Sequence, residues 1–166
     1  MNQPPFIIRP ACANEADTLV EFNARMARET EGLELDRNIL SNGVRGGLAD
    51  ASKALYFVAE SGGRVVGQLM ITKEWSDWRN GDVWWVQSVY VHPDHRRRGV
   101  FRALYVHARE QASRAGAVGV RLYVDDHNAA AQQVYERLGM RMSNYRVMEE
   151  MFQRAGGGAD SNPASG

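Results

Sequence analysis

The segment from Trp84 to Leu104 constrains the fold of this chain more than any other part of it. Trp84 to Val91 is a β-branched and aromatic run that reads as a strand, and Pro93, which cannot donate to a ladder, closes it. The basic turn His95-Arg96-Arg97-Arg98 follows. An amphipathic helix then opens at Gly99, with Phe101, Leu104, Ala108, Ala112 and Ala115 recurring every three to four residues. Strand, glycine-bearing turn and helix N-terminus surround a socket with backbone N–H groups. The helix dipole adds partial positive charge there, and the arginines add full charges. Such a socket fits a pyrophosphate, yet the glycine spacings of a Walker loop and of a dinucleotide fingerprint are both missing.

The pattern repeats further along. Val118 to Val124 reads as a strand, and Asn128 is a good helix N-cap. Ala131, Val134, Tyr135 and Leu138 then form one helical stripe that ends at Gly139, a typical residue just past a helix C-terminus. The first motif, Arg96-x-x-Gly99-x-Phe101, resembles the pyrophosphate-binding motif of the GNAT acetyltransferases. The second, Leu122-x-Val124 with Asn128, Ala131 and Tyr135-Glu136-x-x-Gly139-Met140, resembles the same family's second half-motif. One departure is Phe101, where the family usually carries glycine or alanine so that the backbone comes close to the phosphates. A Phe101 side chain turned into the core would preserve the socket.

At 166 residues the chain is expected to form one domain. No apolar run is long enough to cross a membrane, and no charged segment followed by an apolar one marks a secretory leader. The one cysteine, Cys12, reads as an incidental small residue and suits a reducing cytoplasm, the expected location. Twenty basic and twenty acidic residues balance, so no global field favours nucleic acid, and the arginine cluster is local. His92 and His95 have no third ligand nearby, so no metal is assigned.

Phe6 to Arg9 reads as a first strand, and Asn14 with Asp17 as a capping box ahead of the helical stripe Leu19, Phe22, Met26. An acidic connector from Glu29 to Asp36 leads to a second helix over Asp36 to Leu48. Leu55–Glu60 and Arg64–Lys73 form a hairpin through Ser61-Gly62-Gly63. Arg141 to Phe152 reads as one or two closing strands, and residues 154–166 as a disordered tail after a domain spanning 1–153. The order β-α-α-β-β-β-α-β-α-β matches the GNAT fold, an α/β fold with a mixed, mostly antiparallel sheet flanked by helices.

The resemblance implies acetyl transfer from acetyl-CoA to an amine. In the family, pantetheine and thioester lie against a splayed strand, here Val89, Tyr90 and Val91, whose N–H groups also hold the oxyanion. Losing such a donor costs about two to three orders of magnitude in rate. The pyrophosphate falls to Arg96, Arg97, Arg98, Gly99, Val100, Phe101 and Arg102, and the pantetheine arm to Asn128. The departing thiolate, of pKa ~8.5, leaves faster when protonated, and the family's usual donor corresponds to Tyr135. An acceptor amine of pKa ~10.4 must first lose a proton. Several relatives use a glutamate on the central strand where this chain has Gln87, which cannot be a base. Glu74 and Asp77 are the nearest replacements in sequence, and Glu29 and Glu31 on the connector are alternatives.

Trp75, Trp78, Trp84 and Trp85 fall within eleven residues, interleaved with Glu74, Asp77 and Arg79. Core packing accounts for one or two of them. The others are expected to line, with Glu29, Glu31, Asp77 and Gln87, a pocket for a small cationic or aromatic acceptor. Acetylation of a protein N-terminus or lysine, and a non-catalytic acetyl-CoA sensor, are the alternative readings. Members of the family often dimerise, so a homodimer is an expectation carried by the resemblance alone.

Overall fold

A computed structural model of the chain describes residues 6–152. The expected tail, 154–166, lies outside the described residues. The β-branched runs form a five-stranded sheet of β1 (Ile7–Pro10), β2 (Leu55–Ser61), β3 (Arg64–Ser76), β4 (Gly81–Val91) and β5 (Gly119–Leu122), hydrogen-bonded in that order. Neighbours from β1 to β4 are antiparallel, and β5 runs parallel to β4. The helices are α1 (Ala16–Glu31), α2 (Arg37–Ala49), α3 (Val100–Arg114) and α4 (Ala129–Arg137). The chain divides into two compact units, residues 1–129 with the sheet and α1–α3, and residues 130–166 with nearly all of α4.

Local chemistry sets the element ends. Asp36 caps α2, its carboxylate accepting from the N–H groups of Asn38 at 2.8 Å and Ile39 at 2.9 Å. The capping box ahead of α1 joins Cys12 and Glu15 rather than Asn14 and Asp17, and Glu15 is itself the N-cap of α1. A short 3-10 turn, Ala13–Glu15, precedes the helix, and the Cys12 N–H donates to Glu15 Oε2 at 2.7 Å. Asp17 pairs instead with Arg45 on α2 at 2.6 Å.

The sheet alternation divides the first unit's core. Tyr56 and Val58 pack with Ala16, Leu19, Val20 and Val44 of α1 and α2. On the other face, the Phe57 ring meets His107 of α3 edge-on at 5.0 Å. Leu69, Ile71, Val86 and Trp84 share that face by register. Gly67 belongs to it too, because a Cβ there would stand 3.0 Å from Val100 Cγ1 and 3.4 Å from Leu104 Cδ1.

In the second unit, α4 ends in a Schellman motif. The Met140 N–H donates to Tyr135 O at 3.0 Å and the Gly139 N–H to Glu136 O at 2.9 Å, with Gly139 at φ 91°. Residues 141–152 form no regular element, where closing strands were expected.

Leu104 is fully buried between α3 and the sheet. Leu104→Ala is expected to lower unfolding free energy by about 2–5 kcal/mol, read from urea midpoints, through lost burial plus a cavity. Trp78, 86% exposed, serves as the control whose alanine variant leaves the midpoint nearly unchanged.

Candidate functional site

Strand β4 changes character along its length. From Val83 to Val86 it is paired on both sides, with β3 and with Gly119–Leu122 of β5. Beyond Val86 the parallel pairing stops while β4 continues to Val91, so one edge of its main chain is unpaired by β5. A bulge falls in this stretch. Gln68 pairs with Tyr90 and Met70 with Gln87, which leaves one extra residue on β4. Ser88 takes a left-handed conformation there, φ 49°.

The strand feeds into the basic turn. A 3-10 turn, Pro93–His95, closes on His92, whose Nδ1 accepts from the Asp94 N–H at 3.3 Å. Arg97 (φ 59°) and Gly99 (φ 80°) are both left-handed, and α3 starts at the next residue. Left-handed backbone is cheap for glycine and uncommon for arginine, so the bend is built with some strain at Arg97. The N–H groups of the first turn of α3 face this bend. Val100, rather than Phe101, is the residue buried at the helix start; Phe101 is half-buried with its ring 6.2 Å from that of Tyr105.

The arginines of the turn have different fates. Arg96 Nη2 donates to Glu29 Oε2 at 2.6 Å and its Nε to the Val91 carbonyl at 2.9 Å. Its guanidinium also lies 5.4 Å from the Tyr90 ring centroid. Arg97, Arg98 and Arg102 form no ion pair among the described residues. Tyr90, buried, donates its hydroxyl to Glu29 Oε1 at 2.9 Å and packs its ring 5.0 Å from Phe22. The Arg96 guanidinium holds the Glu29 carboxyl below the ordinary carboxylate range. Burial pushes the Tyr90 phenol up, helped by Glu29.

Glu74 sits elsewhere. Its Oε2 accepts from Trp85 Nε1 at 2.7 Å and its Oε1 from Arg121 Nη1 at 3.1 Å. Trp85 stacks against Tyr123 at 4.6 Å, and Gln87 Nε2 donates to Thr72 Oγ1 at 2.6 Å. Trp85 and Tyr90 are five residues apart on β4, about 15 Å at the usual strand rise. The carboxylates expected to converge are therefore brought to two separate places, Glu29 beside Tyr90 and Glu74 beside Trp85. The tryptophans divide as well. Trp84 is core on the α3 face, Trp85 is half-buried on the opposite face, and Trp75 and Trp78 stand exposed at the β3–β4 hairpin end. Asp77 is used there to accept from the Trp78 N–H at 2.8 Å, and Glu31 is exposed at the end of α1.

Asn128 directly precedes α4, its N–H donating to Asp125 O at 3.0 Å. In the second unit, burial raises the Tyr135 phenol above its ordinary value, so it carries its proton at neutral pH. Sequence reasoning passed over Gln68 and Asn23, which hydrogen-bond each other in the interior behind the bulge. The signal was present: Gln68 is the one polar residue in the run Val65-Val66-Gly67-Gln68-Leu69-Met70-Ile71.

A mixed five-stranded sheet, a bulged strand splayed from its parallel neighbour and an arginine-rich turn into a helix define an α/β acyl-transfer fold. Residues 17–140 match the Acetyltransferase (GNAT) family, and the chain belongs to it. A possible acetyltransferase from Clostridium difficile 630 is 41% identical, with TM-score 0.83 over 90% of this chain and 99% of that one. A predicted acetyltransferase with acetyl-CoA from Clostridium acetobutylicum shares the fold at 16% identity, with TM-score 0.73 over 87% of this chain and 96% of that one. An uncharacterized N-acetyltransferase of Methanocaldococcus jannaschii is 35% identical over 85 residues, which is 51% of this chain and 38% of that relative.

The Glu29–Arg96 pair gives a pH prediction. A carboxyl whose folded pKa is depressed stabilises the fold above its unfolded value, about 4.5, and loses that contribution as pH falls through the folded value. Glu29→Gln is expected to unfold at lower urea than the wild type at neutral pH, with the gap closing as pH drops below 4.5. A gap that is constant with pH would show that the ion pair does not contribute.

Proposed function

We propose that this protein transfers the acetyl group of acetyl-CoA to the primary amine of a small molecule, by direct attack with both substrates bound. The observation that carries this reading is the continuous path from the splayed, bulged end of β4 through the Arg96–Arg98 turn to the α3 N-terminus. Acetyl-CoA supplies an acyl group already activated as a thioester. Arg97, Arg98 and Arg102, with the first-turn amides of Val100 and Phe101, supply positive charge and donors suited to a pyrophosphate. Arg96 holds the turn in place through Glu29 and Val91, and Gly99 lets the chain bend without a side chain in the way. Main-chain groups of Val89, Tyr90 and Val91 are the donors and acceptors for the pantetheine arm and for charge developing on the carbonyl oxygen. Asn128 is assigned to the pantetheine arm.

Tyr135, protonated at neutral pH, is assigned to deliver a proton to the departing thiolate. Trp85 and Tyr123 offer an aromatic surface for the acceptor, with Gln87 and Thr72 beside it on β4 and β3. Both oxygens of Glu74 are engaged, by an indole and a guanidinium, which suits holding Trp85 in place better than taking a proton. The acceptor's ammonium proton therefore passes to solvent.

Two experiments test the reading. Arg98→Glu should weaken acetyl-CoA binding at least about tenfold by calorimetry, because an attractive charge becomes a repulsive one. Unchanged affinity would remove the coenzyme site. The second is free-thiol release from acetyl-CoA across a panel of amines and protein N-termini, with Tyr135→Phe alongside. A small amine should be the best acceptor, and kcat/KM should rise with pH toward the amine pKa of ~10.4. Tyr135→Phe should cut kcat while leaving coenzyme affinity in place. A plateau near neutral pH would reveal a protein base, and a peptide as best acceptor would favour protein acetylation.

A further inference from the structure

We propose that Gln68 is a positioning residue whose buried amide holds the β4 bulge at Ser88 and thereby aims the splayed main chain of Val89 to Val91. Gln68 lies on β3 with none of its surface exposed. Its Nε2 donates to the Ser88 carbonyl at 3.1 Å and to Asn23 Oδ1 on α1 at 2.8 Å. The Ser88 carbonyl can only accept, so the nitrogen end of Gln68 must face it. Both Nε2 hydrogens are then spent, and Asn23 must present its oxygen. One main-chain carbonyl thus fixes the orientation of two buried amides.

The other end of Gln68 is unusual. Oε1 is buried and has no hydrogen-bond partner among the described residues. A methionine or leucine would fill this volume without stranding an acceptor, so burial alone does not account for a glutamine. What glutamine adds is a donor aimed at the carbonyl of a residue held left-handed in the bulge, where the ladder has lost its regular pairing. Asn23 stands beside Phe22, whose ring packs on Tyr90 just past the bulge. The same stretch of α1 therefore supports both the bulge and the strand beyond it. The kinetic consequence rests on the acetyl-transfer reading; the structural one does not.

The test compares the wild type with Gln68→Met and with the double variant Asn23→Leu/Gln68→Met, which removes both amides at once and leaves an apolar pair if the single variant folds poorly. NMR couplings and Cα shifts of Ser88 report its left-handed conformation directly. That signature is expected to disappear in the folded variants. With acetyl-CoA, kcat is expected to fall at least about tenfold, as for a misplaced oxyanion donor. Coenzyme Kd should stay within about threefold, since the arginine turn is untouched. A Ser88 that stays left-handed in the folded double variant overturns the proposal, as does a lost signature with unchanged kcat. If the wild type releases no thiol with any acceptor, the acetyl-transfer reading fails, and the Ser88 signature still decides the role of Gln68.

Discussion

Tyr90 is where the architecture is tied together. Its ring is buried against Phe22 of α1, and the Arg96 guanidinium covers it from the turn. A buried phenol needs a hydrogen-bond partner, and Glu29, in the last turn of α1, supplies it. Glu29 then binds Arg96, which binds back to the Val91 carbonyl. An exposed ion pair alone contributes little to stability. Closed into a ring with a buried aromatic and a main-chain carbonyl, it fixes where the helix ends, where the strand ends and how the turn leaves.

The location of the candidate chemistry follows from strand length. β5 is four residues long and β4 eleven, and their parallel pairing is used up at Val86–Leu122. Just past this point Tyr123 stacks on Trp85 instead of continuing the ladder. The unpaired edge of β4 therefore begins at Gln87 and carries the bulge one residue later. A longer β5 would pair those main-chain groups and close this edge of β4.

Much of this was legible in the residues. The β-branched and aromatic run Trp84–Val91 placed the central strand, the Gly62-Gly63 turn set the β2–β3 hairpin, and Arg96 to Gly99 marked the turn, because each signal is local. The splay at Val89–Val91 came only from the family resemblance. What was not legible spans distance or breaks a period. Glu29 and Arg96 are 67 residues apart, and Gln68 and Asn23 are 45 apart, so nothing in a sequence window links them. Adjacent residues of a strand point to opposite faces, which is why Trp84 and Trp85 separate and why four tryptophans close in sequence do not make one pocket. Residues 141–152 mislead because apolar content does not by itself make a strand: they are rich in apolar side chains and form no regular element.

The overall charge balance conceals a local concentration of positive charge for a physical reason. The formal net charge is zero, and across α1 and α2 the charges are paired one against another. Arg25 and Arg37 share Glu21, Arg28 meets Glu34, and Arg45 meets Asp17. Around the turn, Arg96 is neutralised by Glu29 while Arg97, Arg98 and Arg102 face no carboxylate among the described residues. The positive field there arises because partners are withheld, not because basic residues are in excess. Over a Debye length of about 8 Å at physiological salt, distant carboxylates cannot cancel it. Three arginines with no ion pair among the described residues therefore concentrate positive charge beside a helix N-terminus on a protein of zero formal net charge.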